Sequence, residues 1–226
     1  MPEPRVISLV PSVTETLSAW RRTPIACTRF CERPDLLHVG GTKNPNIDQI
    51  VDLNPDLVVL DEQENRKEDH DALVERGIAV HVLDVRSLED VNSSMASLAE
   101  AVGATWEVLI LPAPMPERVS AFVPIWRRPW MALGSPTYAS SVLTRLGVRN
   151  VFADDGPYPQ LELEEALRRH PDVVLAPSEP YSFTTRHLDE LETVAPTTFL
   201  DGKDLFWWGV RTQDALTRIA VALERL

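Results

Sequence analysis

The sequence predicts an α/β fold of two similar lobes, each a mostly parallel sheet flanked by helices, with a ligand cleft between them. Three observations predict it. Short apolar runs alternate with amphipathic stretches along the 226 residues, the pattern of strands buried on both faces and of helices packed over them. The stretch Asp48-Gln49-Ile50-Val51-Asp52-Leu53-Asn54-Pro55-Asp56-Leu57-Val58-Val59 falls on Glu164-Glu165-Ala166-Leu167-Arg168-Arg169-His170-Pro171-Asp172-Val173-Val174-Leu175 at a constant offset of 116, each copy reading acidic residue, short helix, Pro-Asp, apolar strand. So long a period marks a duplicated domain, since solenoid units run to about 20–50 residues. Between the copies, Leu111-Pro112-Ala113-Pro114-Met115-Pro116 carries three prolines at alternate positions, which no helix accommodates. The organisation expected is therefore an N-terminal lobe over 1–103, an extended proline-rich linker over 104–120 and a C-terminal lobe over 121–226.

The elements follow in order. Val6-Ile7-Ser8-Leu9 reads as a short buried strand, and Ser12 with Glu15 three positions on reads as the cap pair of the helix after it. Ile25-Ala26-Cys27 is the second strand, followed by a polar loop to about Pro45. Asn46 and Gln49 cap a helix that runs to Leu53 and is stopped by Asn54-Pro55. Leu57-Val58-Val59-Leu60 is a strand, 67–76 a helix closed by Gly77, 79–83 a strand, and 87–102 a helix capped by Ser87 and ended by Gly103. Leu88, Val91, Met95, Leu98 and Val102 give that last helix an apolar face. In the second half, strands are expected over 122–126, 148–152, 173–176 and 197–200. Helices are expected after Ser135-Pro136, at Glu162, near Thr185 and at Thr212.

Composition narrows the function. With 22 basic and 34 acidic side chains the net charge is −12, which argues against nucleic acid or an anionic membrane surface as partner. The 44% hydrophobic and 25% charged content is that of ordinary globular chains. No apolar run reaches the 18 or so residues of a membrane span, so no direct membrane insertion is expected. Met1-Pro2-Glu3-Pro4-Arg5 leads into the first strand without the features of a secretory signal, which predicts a cytoplasmic chain, or an extracytoplasmic one if the N-terminus was trimmed. Cys27 and Cys31, four apart, match neither a redox C-x-x-C nor a zinc set and read as a packed thiol and a loop thiol.

In open parallel sheets ligands bind beyond the carboxyl ends of the strands, and here those loops are rich in aromatics. Phe30 follows the second strand, Trp126 and Trp130 flank Arg127-Arg128, Tyr158 lies in Gly156-Pro157-Tyr158-Pro159, Tyr181 and Phe183 follow the strand at 173–176, and Phe206-Trp207-Trp208 follows the one ending at Leu200. Such a set suits a large, flat organic ligand, with Trp106 and Phe152 left to the core. Nucleophile elbows, phosphate loops, dinucleotide fingerprints and zinc-protease motifs are absent, and the five histidines are scattered, so no catalytic residue, cofactor or metal ligand is expected. Asp48 and Glu164 hold the same place in the two copies, in the first turn of a short helix. There they suit the helix dipole or, one per lobe, arginines on a symmetric dimeric partner.

The runs Arg5-Val6-Ile7-Ser8-Leu9-Val10-Pro11-Ser12-Val13-Thr14-Glu15, Phe30-Cys31, Val39-Gly40-Gly41-Thr42-Lys43-Asn44-Pro45, Asn54-Pro55-Asp56-Leu57-Val58-Val59 and Glu64-Asn65-Arg66-Lys67-Glu68, with Ile125-Trp126-Arg127-Arg128-Pro129-Trp130-Met131-Ala132-Leu133-Gly134, Pro171-Asp172-Val173-Val174-Leu175 and Pro177-Ser178-Glu179-Pro180-Tyr181 in the second half, together resemble the cobalamin-binding branch of the ABC-transporter substrate-binding proteins. The resemblance implies a type III periplasmic-binding-like fold that holds a corrinoid as ligand, not cofactor, without chemistry. It implies that Tyr158 and Trp207, with Phe30, Trp126, Trp130, Tyr181, Phe206 and Trp208 near them, stack on the ligand while Arg127, Arg211 and loop amides hydrogen-bond it. It also implies that Asp48 and Glu164 dock onto the arginines of an ABC permease. The chain departs from that branch in having Thr42 and Asp61 where the enterobacterial receptor has tryptophans, and a proline-broken segment where the family has a long helix. Three alternatives remain: a ferric-siderophore or haem receptor; a metal-dependent enzyme of chelatase-like architecture, for which His38, Cys31 and Glu62 would have to converge; and an interaction module whose cleft is filled by side chains.

Overall fold

The computed structural model describes residues 3–225, so that Met1 and Pro2, which open the reading of the N-terminus, lie outside the described residues. The chain forms two compact units: one comprises the chain up to Val85 with Asp90–Leu109 and Trp208–Val210, the other Arg86–Glu89, Ile110–Trp207 and the chain from Arg211 on. Residues 104–118 hold neither helix nor strand.

The first unit is built from β1 (Val6–Ser8), α1 (Pro11–Ala19), β2 (Ala26–Cys27), β3 (Leu37–His38), the hairpin β4 (Gly40–Gly41) and β5 (Asn44–Pro45), α2 (Ile47–Asp52), β6 (Leu57–Asp61), α3 (Lys67–Glu75), β7 (Val80–Leu83) and α4 (Asp90–Val102). Five strands make one parallel sheet in the order β3-β2-β1-β6-β7, with Ile7 opposite both Ala26 and Val58, and Val58 opposite Val80. Its centre is continuous apolar sequence because both faces are covered: Ile7, Leu9, Ala26, Val58 and Leu60 are buried with Val39, Ile50 and Leu73. On α4 the buried residues are Val91, Met95, Leu98, Ala99 and Val102, the expected face.

Three local expectations are corrected here. Helix α1 begins at Pro11, with Val10 in extended conformation before it and no side-chain cap; Ser12 lies inside the first turn, its buried Oγ without a partner. Proline supplies the helical φ and has no N–H to satisfy, so the start falls two residues earlier than a Ser12–Glu15 cap pair indicates. Helix α4 begins at Asp90, three residues past Ser87. The polar stretch up to Pro45 contains β3 and the β4–β5 hairpin. The Asn46 cap is formed as expected, its Oδ1 accepting from Gln49 N at 3.1 Å.

The second unit comprises β8 (Val119–Phe122), β9 (Pro124–Trp126), β10 (Trp130–Ala132), α5 (Tyr138–Arg145), β11 (Val148–Asn150), β12 (Gln160–Leu161), α6 (Leu163–Arg168), β13 (Val173–Pro177), a 3-10 turn (Thr185–His187) leading into α7 (Leu188–Leu191), β14 (Thr197–Leu200), α8 (Gly202–Phe206) and α9 (Thr212–Leu223). A parallel sheet runs β11-β8-β13-β14, with Val148 opposite Val119, Val173 opposite Ala121 and Val174 opposite Thr197. A second, antiparallel sheet runs β12-β10-β9. The single strand expected over 122–126 is thus two strands in two sheets, parted at Val123. Pro124 opens β9 at the edge of its sheet, where a missing N–H costs no ladder bond. Helix α8 is not anticipated by periodicity; Asp201 starts it by accepting from Lys203 N at 2.9 Å.

The sequence repeat has a structural counterpart in each unit. Arg5 N donates to Asp56 Oδ2 at 2.7 Å, and Ser120 N to Asp172 Oδ2 at 2.7 Å. The reciprocal backbone bonds, Asp56 N to Arg5 O and Asp172 N to Ser120 O, are both 2.9 Å. Asn54 and His170 reverse the chain ahead of each proline with φ of 46° and 48°. Each Pro-Asp thus fixes the register of its strand on the neighbouring one.

Candidate functional site

Two groups of side chains stand at the carboxyl ends of the strands in the second unit. In the first, the β9–β10 turn carries Trp126 and Arg127, and the segment after β13 carries Tyr181 and Phe183. Trp126 meets Tyr181 edge-on with centroids 5.7 Å apart, Tyr181 meets Phe183 at 4.7 Å, and Trp130 stacks on Phe183 at 5.9 Å with planes 7° apart. His187 packs edge-on against both Tyr181 and Phe183. Thr184 N donates to His187 Nδ1 at 3.0 Å, which leaves the neutral ring's proton on Nε2, 3.3 Å from the Tyr181 hydroxyl. Arg127 Nε donates to Glu190 at 2.8 Å, which holds its guanidinium charged, with Trp130 below.

The second group surrounds Trp207. Its Nε1–H donates to Glu179 Oε2 at 3.1 Å, while Lys203 Nζ lies 5.5 Å and Arg211 Cζ 5.4 Å from its ring. Arg211 is positioned in turn by the buried Asp204, to which it donates at 2.9 Å; Arg218, two turns along α9, donates to the same carboxylate at 2.6 and 2.7 Å. Those guanidiniums, Arg218 foremost, keep the Asp204 carboxyl below its ordinary range against the opposing pull of burial. The strand-end segment 178–183 joins the groups, since Glu179 holds Trp207 and Tyr181 reaches Trp126. Gly202 N ties it to β14 through Ser178 Oγ at 2.9 Å.

Exposure separates the expected ligand residues. Trp126, Tyr158 and Phe30 are 44%, 42% and 51% exposed, and Tyr181, Phe206, Trp207, Arg127 and Arg211 are half-buried, whereas the rings of Trp130 and Trp208 are buried. Tyr158 stands on a segment bonded to β10 and its continuation, Ala132 N to Pro159 O and Gly134 N to Pro157 O. Only glycine fits at 134, because a Cβ there would lie 1.9 Å from Gly156 O. Phe30 belongs to the first unit, on the turn after β2, with Arg29 5.0 Å from its ring and Gly41 beneath it. Asp48 and Glu164 are exposed second residues of α2 and α6; Arg76 reaches Asp48 at 3.0 Å. As for the two departures, Thr42 offers its carbonyl to Asn65 Nδ2 at 2.8 Å, and Asp61 turns inward, 1% exposed, with Oδ1 accepting from Gln63 N and Glu64 N. Among the described residues no three His, Cys, Asp or Glu side chains are placed to hold a metal ion. His38 Nε2 lies 3.1 Å from Arg33 O, and Cys31 is buried.

Glu179, His187, Lys203 and the Asp204–Arg218 pair complete these groups and are not singled out in the sequence. Arg211 and Arg218, seven apart at the start of one helix face, are the one signal that could have found Asp204.

Residues 6–109 match the periplasmic binding protein family. The vitamin B12-binding protein of Salmonella choleraesuis is 29% identical over 201 residues, covering 76% of this chain and 71% of that protein; its Vibrio parahaemolyticus counterpart is 27% identical over 206 residues, covering 82% and 72%. Among solved structures, the periplasmic vitamin B12 binding protein of Vibrio cholerae superposes with TM-score 0.77 at 20% identity, covering 99% of this chain and 98% of that one. The periplasmic heme-binding protein of Roseiflexus sp. RS-1 superposes with TM-score 0.78 at 19% identity over 99% of both. The fold is therefore the periplasmic-binding fold that the motifs imply, and the chain is similar to vitamin B12-binding proteins over about three quarters of its length.

Proposed function

We propose that this relative of the periplasmic binding proteins is a non-enzymatic binding protein for cobalamin or a related corrinoid, serving ABC-type uptake. The observation that carries the reading is the likeness to vitamin B12-binding proteins over about three quarters of the chain. The rings of the second unit support it: the exposed Trp126 and Tyr158 and the half-buried Trp207 offer faces to a large planar ligand, with Tyr181 and Phe206 also half-buried. Arg127 and Arg211, anchored by Glu190 and Asp204, present donors to its amide and phosphate groups. Trp130 and Trp208 act from beneath, as packing. The ligand is cargo, and no cofactor takes part. Asp48 and Glu164 are the contacts to the permease. Its place of action is that of the periplasmic vitamin B12 and heme binding proteins whose fold it shares.

A ferric siderophore or haem is the second reading, favoured by the haem binders among the solved structures of the same fold. Titration of the purified protein with cyanocobalamin, followed by tryptophan fluorescence and heat, with haemin and a ferric siderophore in parallel, decides between them. Saturable one-to-one corrinoid binding at micromolar Kd or tighter, about 8 kcal/mol or more, is expected. Replacing Trp207 with Ala should weaken it on the order of tenfold, the effect of one stacked ring and its neighbours. Saturation by haemin alone would transfer the reading to the second ligand. Silence from all three, with a Trp207→Ala variant that merely melts earlier, would leave an interaction module.

A further inference from the structure

The turn over 184–190, which follows β13 in the second unit, holds both polar groups beside Trp126. Glu190 accepts from Arg127 Nε at 2.8 Å, and three residues earlier His187 Nε2 lies 3.3 Å from the Tyr181 hydroxyl. His187 is 5% exposed, its ring set edge-on against Tyr181 and Phe183 with centroids 5.5 Å away in both pairs. Its Nδ1 accepts from Thr184 N at 3.0 Å. A backbone N–H only donates, so Nδ1 is bare and the neutral ring carries its proton on Nε2. A ring turned over would set carbon atoms against both Thr184 N and the Tyr181 hydroxyl and lose both bonds. The Tyr181 oxygen is therefore the acceptor from His187, and the hydroxyl proton has to find another partner. The other group at that oxygen is the Arg127 guanidinium, which has donors only. Among the described residues no acceptor takes the Tyr181 proton. Tyr181 is half-buried and meets the exposed Trp126 edge-on at 5.7 Å, so this donor belongs to the exposed aromatic group and not to the core.

We propose that His187 is a positioning residue that makes Tyr181 a dedicated hydrogen-bond donor, so that the group around Trp126 selects a ligand bringing an oxygen acceptor, a carbonyl, carboxylate or phosphate oxygen, to Tyr181 and Arg127. The proposal rests on the reading of Trp126, Arg127 and Tyr181 as ligand contacts. A tyrosine free to rotate its hydroxyl accepts from an N–H as readily as it donates to an oxygen. With His187 and Arg127 on its acceptor side, Tyr181 has lost that choice. An oxygen placed there receives the Tyr181 proton and the charge-assisted bonds of Arg127, whereas an N–H meets donors alone and its hydrogen bond goes unmade. One turn thus sets both contacts, His187 through the tyrosine and Glu190 through the arginine.

Affinity for cyanocobalamin is measured by tryptophan fluorescence on the wild type, Tyr181→Phe, His187→Asn and the double variant. Asparagine keeps an oxygen at the place of Nδ1 for Thr184 N but lacks the reach of Nε2, so the turn stays capped while Tyr181 loses its fixed donor. Tyr181→Phe should weaken binding about five- to tenfold, the worth of one hydrogen bond. His187→Asn should weaken the wild type severalfold and leave Tyr181→Phe unchanged, because without the hydroxyl it has nothing to position. Equal losses in both backgrounds, the mark of a packing role, overturn the proposal. Nuclear magnetic resonance of the isotope-labelled, ligand-free wild type should find the His187 ring proton on Nε2; a proton on Nδ1 overturns the proposal as well. Dicyanocobinamide, which lacks the nucleotide phosphate, tells the oxygens apart: the Tyr181→Phe factor persists if a side-chain carbonyl is bound and vanishes if the phosphate is, and either result supports the proposal. Where the wild type binds haemin and not cyanocobalamin, the corrinoid reading falls and the same four proteins are compared with haemin, whose carboxylates supply the acceptor. A wild type that binds neither overturns the reading and the proposal together.

Discussion

Asp61 shows how one side chain can set a pH response. Its Oδ1 accepts from Gln63 N at 2.9 Å and Glu64 N at 3.2 Å, but its Oδ2 is buried without a partner. Burial, with the Asp84 charge adding a little, pushes its carboxyl up to about 7, while the backbone donors of Gln63, Glu64 and Val85 pull the other way. In the unfolded chain the group ionises near pH 4, so between pH 4 and 7 the folded state holds a proton that the unfolded state has released. Stability from this group is therefore full below pH 4 and falls as pH rises to 7. At about 1.4 kcal/mol per unit of displacement the loss is on the order of a few kcal/mol. Urea unfolding of Asp61→Asn between pH 4 and 8 should show that slope flattened; a slope equal to that of the wild type would place the titration elsewhere. Asp61, one of the chain's departures from the resembling branch, turns inward and closes the turn after β6.

At the scale of elements, the helix–turn–strand repeat is the part most legible in sequence, because its chemistry is local. The Asn46–Gln49 cap, the reversal at Asn54 and His170 and the Pro-Asp register lock all lie within a few residues of the strand they serve. Asn46→Ala should cost about 1 kcal/mol in denaturant unfolding, the usual worth of a cap. Asp172→Ala should cut deeper than Asp56→Ala, since Ser120 Oγ also donates to Asp172, at 2.6 Å; the melting temperatures of the two variants test the order. Ser120 holds the Asp172 carboxyl below its ordinary range, so this contribution is present above the unfolded value and lost as pH falls through the lower, folded one. What the sequence did not disclose depends on partners distant along the chain. Val123 divides a continuous apolar run between two sheets, and Pro11 starts a helix that Ser12 and Glu15 imitate two residues later. The site divides in the same way. Loops and strand ends carry the aromatics, but which ring is covered depends on contacts such as Trp130 on Phe183, and Glu179 finds Trp207 only through folding.

On the scale of the whole molecule, the charge of −12 and the repeated acidic position point to one further experiment. Asp48 and Glu164 are exposed second residues of equivalent helices, and the Asp48–Arg76 pair joins side chains 80% and 53% exposed, a contact of little worth in water. Both carboxylates are therefore available to a cationic partner at little cost in broken contacts, one from each half of a duplicated chain. If they dock onto the permease, association should be steered by charge and weaken with added salt over the range where the Debye length shortens below about 10 Å. Asp48→Arg and Glu164→Arg should each reduce binding to the reconstituted permease, and the double variant should abolish it. Corrinoid affinity should remain at the wild-type value, because neither residue belongs to the aromatic groups around Trp126 and Trp207. Loss of corrinoid binding in the double variant would mean that the acidic positions serve the fold or the ligand. Undiminished permease binding would return them to the bland role of first-turn acids at helix dipoles, a use that their location already satisfies.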